Sequence, residues 1–194
     1  MRINPRSFTL TIAFALVAIS ALHAQQSVPP PPRPADSGPS LETTMQFIQE
    51  NAAEGKLTYT ASVTDASQQG AEWRNKFTVE MSNLAADPAA CSITYHWRAE
   101  ENGKVADDAD YSLALKNVKE ILVLPQDQNQ NQVDSRNGHP DWNSRISPLL
   151  FVLIAKRPKG LVNVFLFSDE TMANRVAKAI THAVELCGGG KDAF

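Results

Sequence analysis

Cysteine is scarce in this chain, and basic residues are not in excess. The two cysteines, Cys91 and Cys187, stand far apart, which excludes a CxxC redox pair or a close-spaced zinc site. Lys and Arg number 18 against 21 Asp and Glu, a formal charge of −3. A mildly acidic chain without a basic stripe is a poor match for nucleic acid and for anionic lipid. No GxSxG, SxxK or HxxxH pattern occurs, so no catalytic or metal-ligating motif is legible. The glycine run Gly188-Gly189-Gly190 follows a helical pattern, whereas a phosphate cradle precedes one. No residue pattern calls for a cofactor. After residue 22, no apolar run approaches the roughly 20 residues of a membrane span.

The first 24 residues have a clear order. Arg2 and Arg6 precede an uncharged apolar stretch at 8–22, and Leu22-His23-Ala24 ends it on a small residue. This predicts a signal peptide over 1–24 and a periplasmic or secreted location. Left uncleaved, the same segment is an N-terminal anchor, the one expected link to a membrane. Cleavage removes two positive charges and takes the formal charge from −3 to about −5. Residues 25–39 are Pro-rich without apolar periodicity and are expected to form an extended linker. Residues 40–190 then suffice for one domain.

Periodicity within that domain predicts α+β structure. Ser40 is an N-cap for a helix over 41–53, with Leu41, Met45, Ile48 and Ala52 on one face. Seven strand-like segments follow. Leu57, Tyr59, Ala61 and Val63 alternate with polar residues, as do Phe77, Val79 and Met81, then Ile93, Tyr95 and Trp97, then Tyr111, Leu113 and Leu115. A fifth segment covers 118–124. The sixth, LLFVLIA at 149–155, is apolar on both faces and is expected to be covered on both. The seventh is LVNVFLF at 161–167. Between the fifth and sixth lies a polar stretch at 126–147, whose QDQNQNQ run reads as a mobile loop. An amphipathic helix capped by Ser168 closes the chain, with Met172, Val176, Ile180, Ala183, Val184 and Cys187 on one face. Cys91 shares the register of Ile93, Tyr95 and Trp97. Both thiols therefore face one core, and an oxidising compartment joins them in a disulfide.

Two local textures accompany this order. YSLALKNVKEILVL at 111–124 places two strands close together, and FLFSDETMANRVAKAITHAV at 165–184 runs a strand directly into a closing helix. With them, residues 56–187 resemble the pleckstrin-homology (PH-like) superfold. The resemblance implies a seven-stranded antiparallel barrel or sheet closed by a C-terminal helix, here with an additional N-terminal helix. The family's phosphoinositide-binding version carries Lys and Arg in its first strand-loop-strand unit. This chain offers only Lys56, Arg74 and Lys76 around an acidic, amide-rich turn, so no phosphoinositide role is carried over.

The candidate site is the GHPDW segment. His139 and Asp141 form the one local acid-base pair, and Trp142 lies near the end of a long loop, where binding residues concentrate. Pro140 between the pair favours a rigid turn. His96 and His182 are read as surface residues. Asp107, Asp108 and Asp110 are read as an acidic turn without the DxDxDG spacing of a calcium loop. The expected function is a non-enzymatic binding or scaffold domain, engaging a protein or peptide in the cell envelope through a sheet edge or residues 126–147. The alternative is an exported hydrolase-type enzyme or small-ligand carrier with its site at His139, Asp141 and Trp142.

Overall fold

The computed structural model describes residues 38–53 and 55–189. The expected signal peptide, most of the expected linker and Gly190 lie outside the described residues. Helix α1 spans Leu41–Asn51, and the Ser40 hydroxyl accepts a hydrogen bond from the Thr43 amide as its N-cap. Strands β1 (Lys56–Asp65), β2 (Ala71–Asp87), β3 (Ser92–Glu101) and β4 (Lys104–Ala114) follow as an antiparallel meander. Next come β5 (Glu120–Pro125), α2 (Gln126–Arg136), β6 (Trp142–Ser147), β7 (Phe151–Lys156), β8 (Val162–Phe167) and α3 (Glu170–Leu186).

The strands form two sheets. One has five strands in the order β4-β3-β2-β1-β6, and the other has three in the order β5-β7-β8. All pairings are antiparallel. The architecture is α+β, as expected, but the described residues form eight strands rather than seven, and the two ladders do not close into a barrel. The added strand is β6, which pairs with the far edge of β1 from Thr60↔Ser147 to Asp65↔Trp142. The expected mobile loop is also corrected, because the whole QDQNQNQ run lies within the helix α2. A third correction concerns the acidic turn, since Asp107, Asp108 and Asp110 lie within β4.

The long strand β2 bends midway. Its register with β3 shifts between Ser82 and Ala85, where Asn83 takes φ 52°. One extra residue in one strand bends a ladder and increases its twist. Before the bulge, Val79 packs in the part of the core that holds Tyr59 and Ile146, and Met81 in the part that holds Ile93 and Tyr95.

The burial pattern explains the double-sided apolar character of β7. Val152 and Ile154 pack with Tyr59, Ala61, Val79 and Ile146 of the five-stranded sheet. Leu153 and Ala155, with Phe165 and Phe167 of β8, pack instead with α1, α3, Ile93, Tyr95 and Leu113. The three-stranded sheet is therefore covered on both faces, which is why its strands lack polar alternation.

Helix α3 carries Ala173, Val176, Ile180, Ala183 and Val184 on its buried face. Asn174, Arg175, Lys178, Thr181 and Glu185 are exposed. Its N-cap is Asp169, one residue later than expected. The Asp169 carboxylate accepts from the Met172 amide at 2.7 Å, a charge-assisted bond at the positive end of the helix. At the other end, Cys187 is bonded to Cys91 with a Cα–Cα distance of 5.9 Å. Cys91 sits one residue before β3, at φ 50°.

The docked face predicts a large asymmetry between two substitutions. Ile180 is 0% exposed, so Ile180→Asp places an unpaired charge in the core and unfolds the chain. Arg175 is exposed but lies 5.2 Å over the Phe47 ring. Arg175→Asp should therefore cost only about 1 kcal/mol, the scale of an exposed cation-π contact. Circular-dichroism melts of the two variants distinguish these outcomes, and equal melting temperatures would contradict the docking.

Candidate functional site

The polar helix α2 has no apolar stripe, and hydrogen bonds hold it instead. The Asn131 carboxamide grips the Ser144 backbone of β6 in both directions. Its Oδ1 accepts from the Ser144 amide at 2.6 Å, and its Nδ2 donates to the Ser144 carbonyl at 3.4 Å. This reproduces the pairing that another strand would supply to the edge of β6, and so covers that edge. Asp134, 6% exposed, accepts from the Ser144 hydroxyl and from Gln130 Nε2. Pro125 precedes the helix, and Asp127 and Arg136 complement its two ends.

The chain leaves α2 through a tight turn. Gly138 takes φ 92°, a left-handed conformation that glycine adopts without strain. The next amide, of His139, then donates to the Asp134 carbonyl at 2.9 Å. This turn sets the His139 ring flat against Trp142, with centroids 3.8 Å apart and planes 13° apart. Trp73 of β2 meets the same indole edge-on at 4.8 Å. These two tryptophans come from either side of β1, because Asp65 is opposite Trp142 and Val63 is opposite Trp73.

Asp65 anchors the cluster. It is 2% exposed. One carboxylate oxygen accepts from the Ser67 amide at 2.8 Å and the Ser67 hydroxyl at 2.6 Å. The other accepts from the Trp142 indole N–H at 3.1 Å. The Ser67 bonds, with the help of Trp142, hold the Asp65 carboxyl below its ordinary range despite burial. The structure thus brings His139 and Trp142 together, and adds Trp73 and Asp65. Asp141 contributes through its backbone, whose carbonyl accepts from the Ala66 amide at 3.0 Å. No hydrogen bond or ion pair joins the Asp141 carboxylate to His139 among the described residues. The result is an exposed imidazole on a fixed aromatic stack. It offers a flat apolar surface with polar edges.

A second constellation escaped the reading of the sequence. His96 lies on the outer face of β3. Its Nδ1 is 2.9 Å from Asp110 and its Nε2 is 3.0 Å from Asp108, both on β4. Arg98 bonds Asp108 and Glu100 on the same face. The alternating polar residues of β3 were a signal for this face. Recognising it required placing the aspartates in a strand rather than a turn. His182, the remaining described histidine, meets the Pro39 carbonyl at 3.0 Å. Among the described residues, no group of three or more His, Cys, Asp or Glu side chains is arranged to hold a metal ion. None of the helices described is long and apolar enough to cross a membrane.

Comparison with family models, curated proteins and solved structures finds no match for this chain.

The Asp65 anchor predicts a pH-dependent effect. A carboxylate whose folded pKa is depressed stabilises the fold above its unfolded value, about 3.9. That stability is lost as the pH falls through the folded value. Asp65→Asn should therefore melt below the unsubstituted chain at pH 7, and the gap should close in acid as the wild-type carboxylate protonates. Melts across that range measure it, and a gap independent of pH would contradict the anchoring role.

Proposed function

We propose that this chain is an exported, non-enzymatic binding module that engages a protein or peptide partner in the cell envelope. The observation that carries this reading is the His139–Trp142–Trp73 cluster, held by Asp65 at one end of the five-stranded sheet. Its rigid aromatic rings lose little freedom when a partner covers them, and aromatic anchors of this kind concentrate the energy of protein interfaces. The polar groups around it serve the fold. Asp65 holds an indole, and Asp134 holds β6. A hydrolase would need His139 beside a nucleophile or an orienting carboxylate. Here its ring is stacked on carbon instead.

Two features support the setting. The Cys91–Cys187 bond suits an oxidising compartment, and the first 24 residues have the order of an export signal. A PH-like arrangement remains our proposal for the architecture. A four-stranded meander, a second antiparallel sheet and a closing helix support it, while α2 and β6 are additions to that pattern. Such a scaffold does not by itself dictate a ligand.

The test is affinity capture from the native envelope extract with the immobilised mature chain, read by quantitative mass spectrometry. His139→Ala and Trp73→Ala should keep the far-ultraviolet dichroism of the fold. Both should lose most of the partner retained by the unsubstituted protein. A partner retained equally by all three chains would place binding elsewhere. Turnover or metal content that disappears in His139→Ala would reject the non-enzymatic reading.

A further inference from the structure

Five side chains on the outer face of β3 and β4 form a row of alternating charge. The order is Asp110, His96, Asp108, Arg98, Glu100. Asp108 links the two cations, with one oxygen on His96 Nε2 and the other on Arg98. His96 is the one member whose ordinary titration lies near neutrality. Each of its ring nitrogens faces a different carboxylate, at 2.9 and 3.0 Å. A neutral imidazole has only one N–H, so it can donate to only one of them. The Nδ1 contact with Asp110 is a hydrogen bond, and the Nε2 contact with Asp108 is an ion pair that needs the ring protonated, so only the imidazolium makes both.

The location gives this contact a consequence. Among the described residues, β4 is an edge strand, hydrogen-bonded along its length to β3 alone. The edge of β6 is covered by α2, whereas β4 receives one bond from the second sheet, from Asn163 Nδ2 to the Ser112 carbonyl at 3.5 Å. We propose that His96 is a protonation-dependent clasp on the β4 edge: its imidazolium fastens β4 to β3, and its deprotonation loosens residues 107–112.

The surrounding charges agree with this assignment. Asp108 and Asp110 face His96 from β4. Ser82, opposite on β2, carries no charge, and Glu80 is one step along β2, opposite Arg98. Asn83, Thr94, Tyr111 and Ser112 line the shallow notch beside the ring. Arg98, two residues along β3, is committed to Asp108 and Glu100. Deprotonation therefore leaves Asp108, Asp110 and Glu100 with Arg98 alone. The hydrogen bond that His96 donates to Asp110, supported by the charge of both aspartates, holds His96 above the ordinary histidine range. The sign follows. The clasp is complete below about pH 6.5, the ordinary histidine value, and is lost as the pH rises through the raised one. The His96 side chain is 31% exposed, so solvent screens the contact and the effect is local rather than global.

Amide hydrogen exchange on the isotopically labelled full chain tests the clasp. Protection factors for residues 107–112 should fall several-fold between pH 6 and pH 9, after correction for intrinsic exchange, while those of β7 hold. His96→Gln should show the weaker protection at both pH values. Asp110→Asn, which keeps the imidazole, should move the loss to lower pH. The idea is overturned if His96 titrates at or below about 6.5 by nuclear magnetic resonance, or if His96→Gln shows the same pH-dependent fall.

Discussion

The three-stranded sheet cannot stand alone, and the docking of α3 is the constraint that lets it persist. β5, β7 and β8 are short strands whose side chains are apolar on both faces. Such a sheet needs cover on each side. The five-stranded sheet covers one face through Tyr59, Ala61, Val79 and Ile146. α3 covers the other through Val176 and Ile180, with Met45 and Ile48 of α1 in the same core. The ends of α3 are fixed by different means. Asp169 caps the start, and Cys187 ties the end to Cys91, next to β3. The covalent bond thus joins the helix on one sheet to the strand that begins a hairpin of the other.

The remaining constraints concern strand edges, and polar contacts meet them. α2 lies along β6 through Asn131 and Asp134, and Asn163 reaches from β8 to Tyr95 and to the Ser112 carbonyl of β4. The outer part of β4 is left to the charge row around His96. These contacts use neutral or charge-assisted hydrogen bonds where a closed barrel would use backbone ladders. They also place the aromatic cluster. The turn after α2 presents His139, and β6 presents Trp142 to Asp65. The site and the capped edge are therefore one construction.

The sequence and the structure agree where apolar periodicity decides the local fold. Alternation over 57–63 and 92–97 marked β1 and β3, and helical spacing marked both faces of α3. The turn at Asn102-Gly103 puts both residues at positive φ, a conformation for which asparagine and glycine are the usual residues. α2 was misread for a physical reason. Its stability comes from Asn131 and Asp134 bonding to Ser144, and hydrogen bonds of that kind leave no hydrophobic period to detect. β6 was hidden with it, being short and half polar. The site was legible only in part. Trp142 stood out beside His139, but its anchor Asp65 lies 77 residues away, a separation no local pattern reports. The His96 row was lost because three aspartates within four residues look like a solvated turn until a partner strand is known.

The central claim is that a covalent tie between Cys91 and Cys187 holds α3 on the sheets. It spans 96 residues, and chain entropy over such a loop gives an upper contribution of about 4–5 kcal/mol. The most direct measurement combines thiol titration of the unfolded, unreduced protein with thermal melts before and after reduction. The account predicts no free thiol in the natively produced chain and a marked fall in melting temperature once the bond is reduced. Two free thiols, or a melting temperature indifferent to reduction, would contradict it.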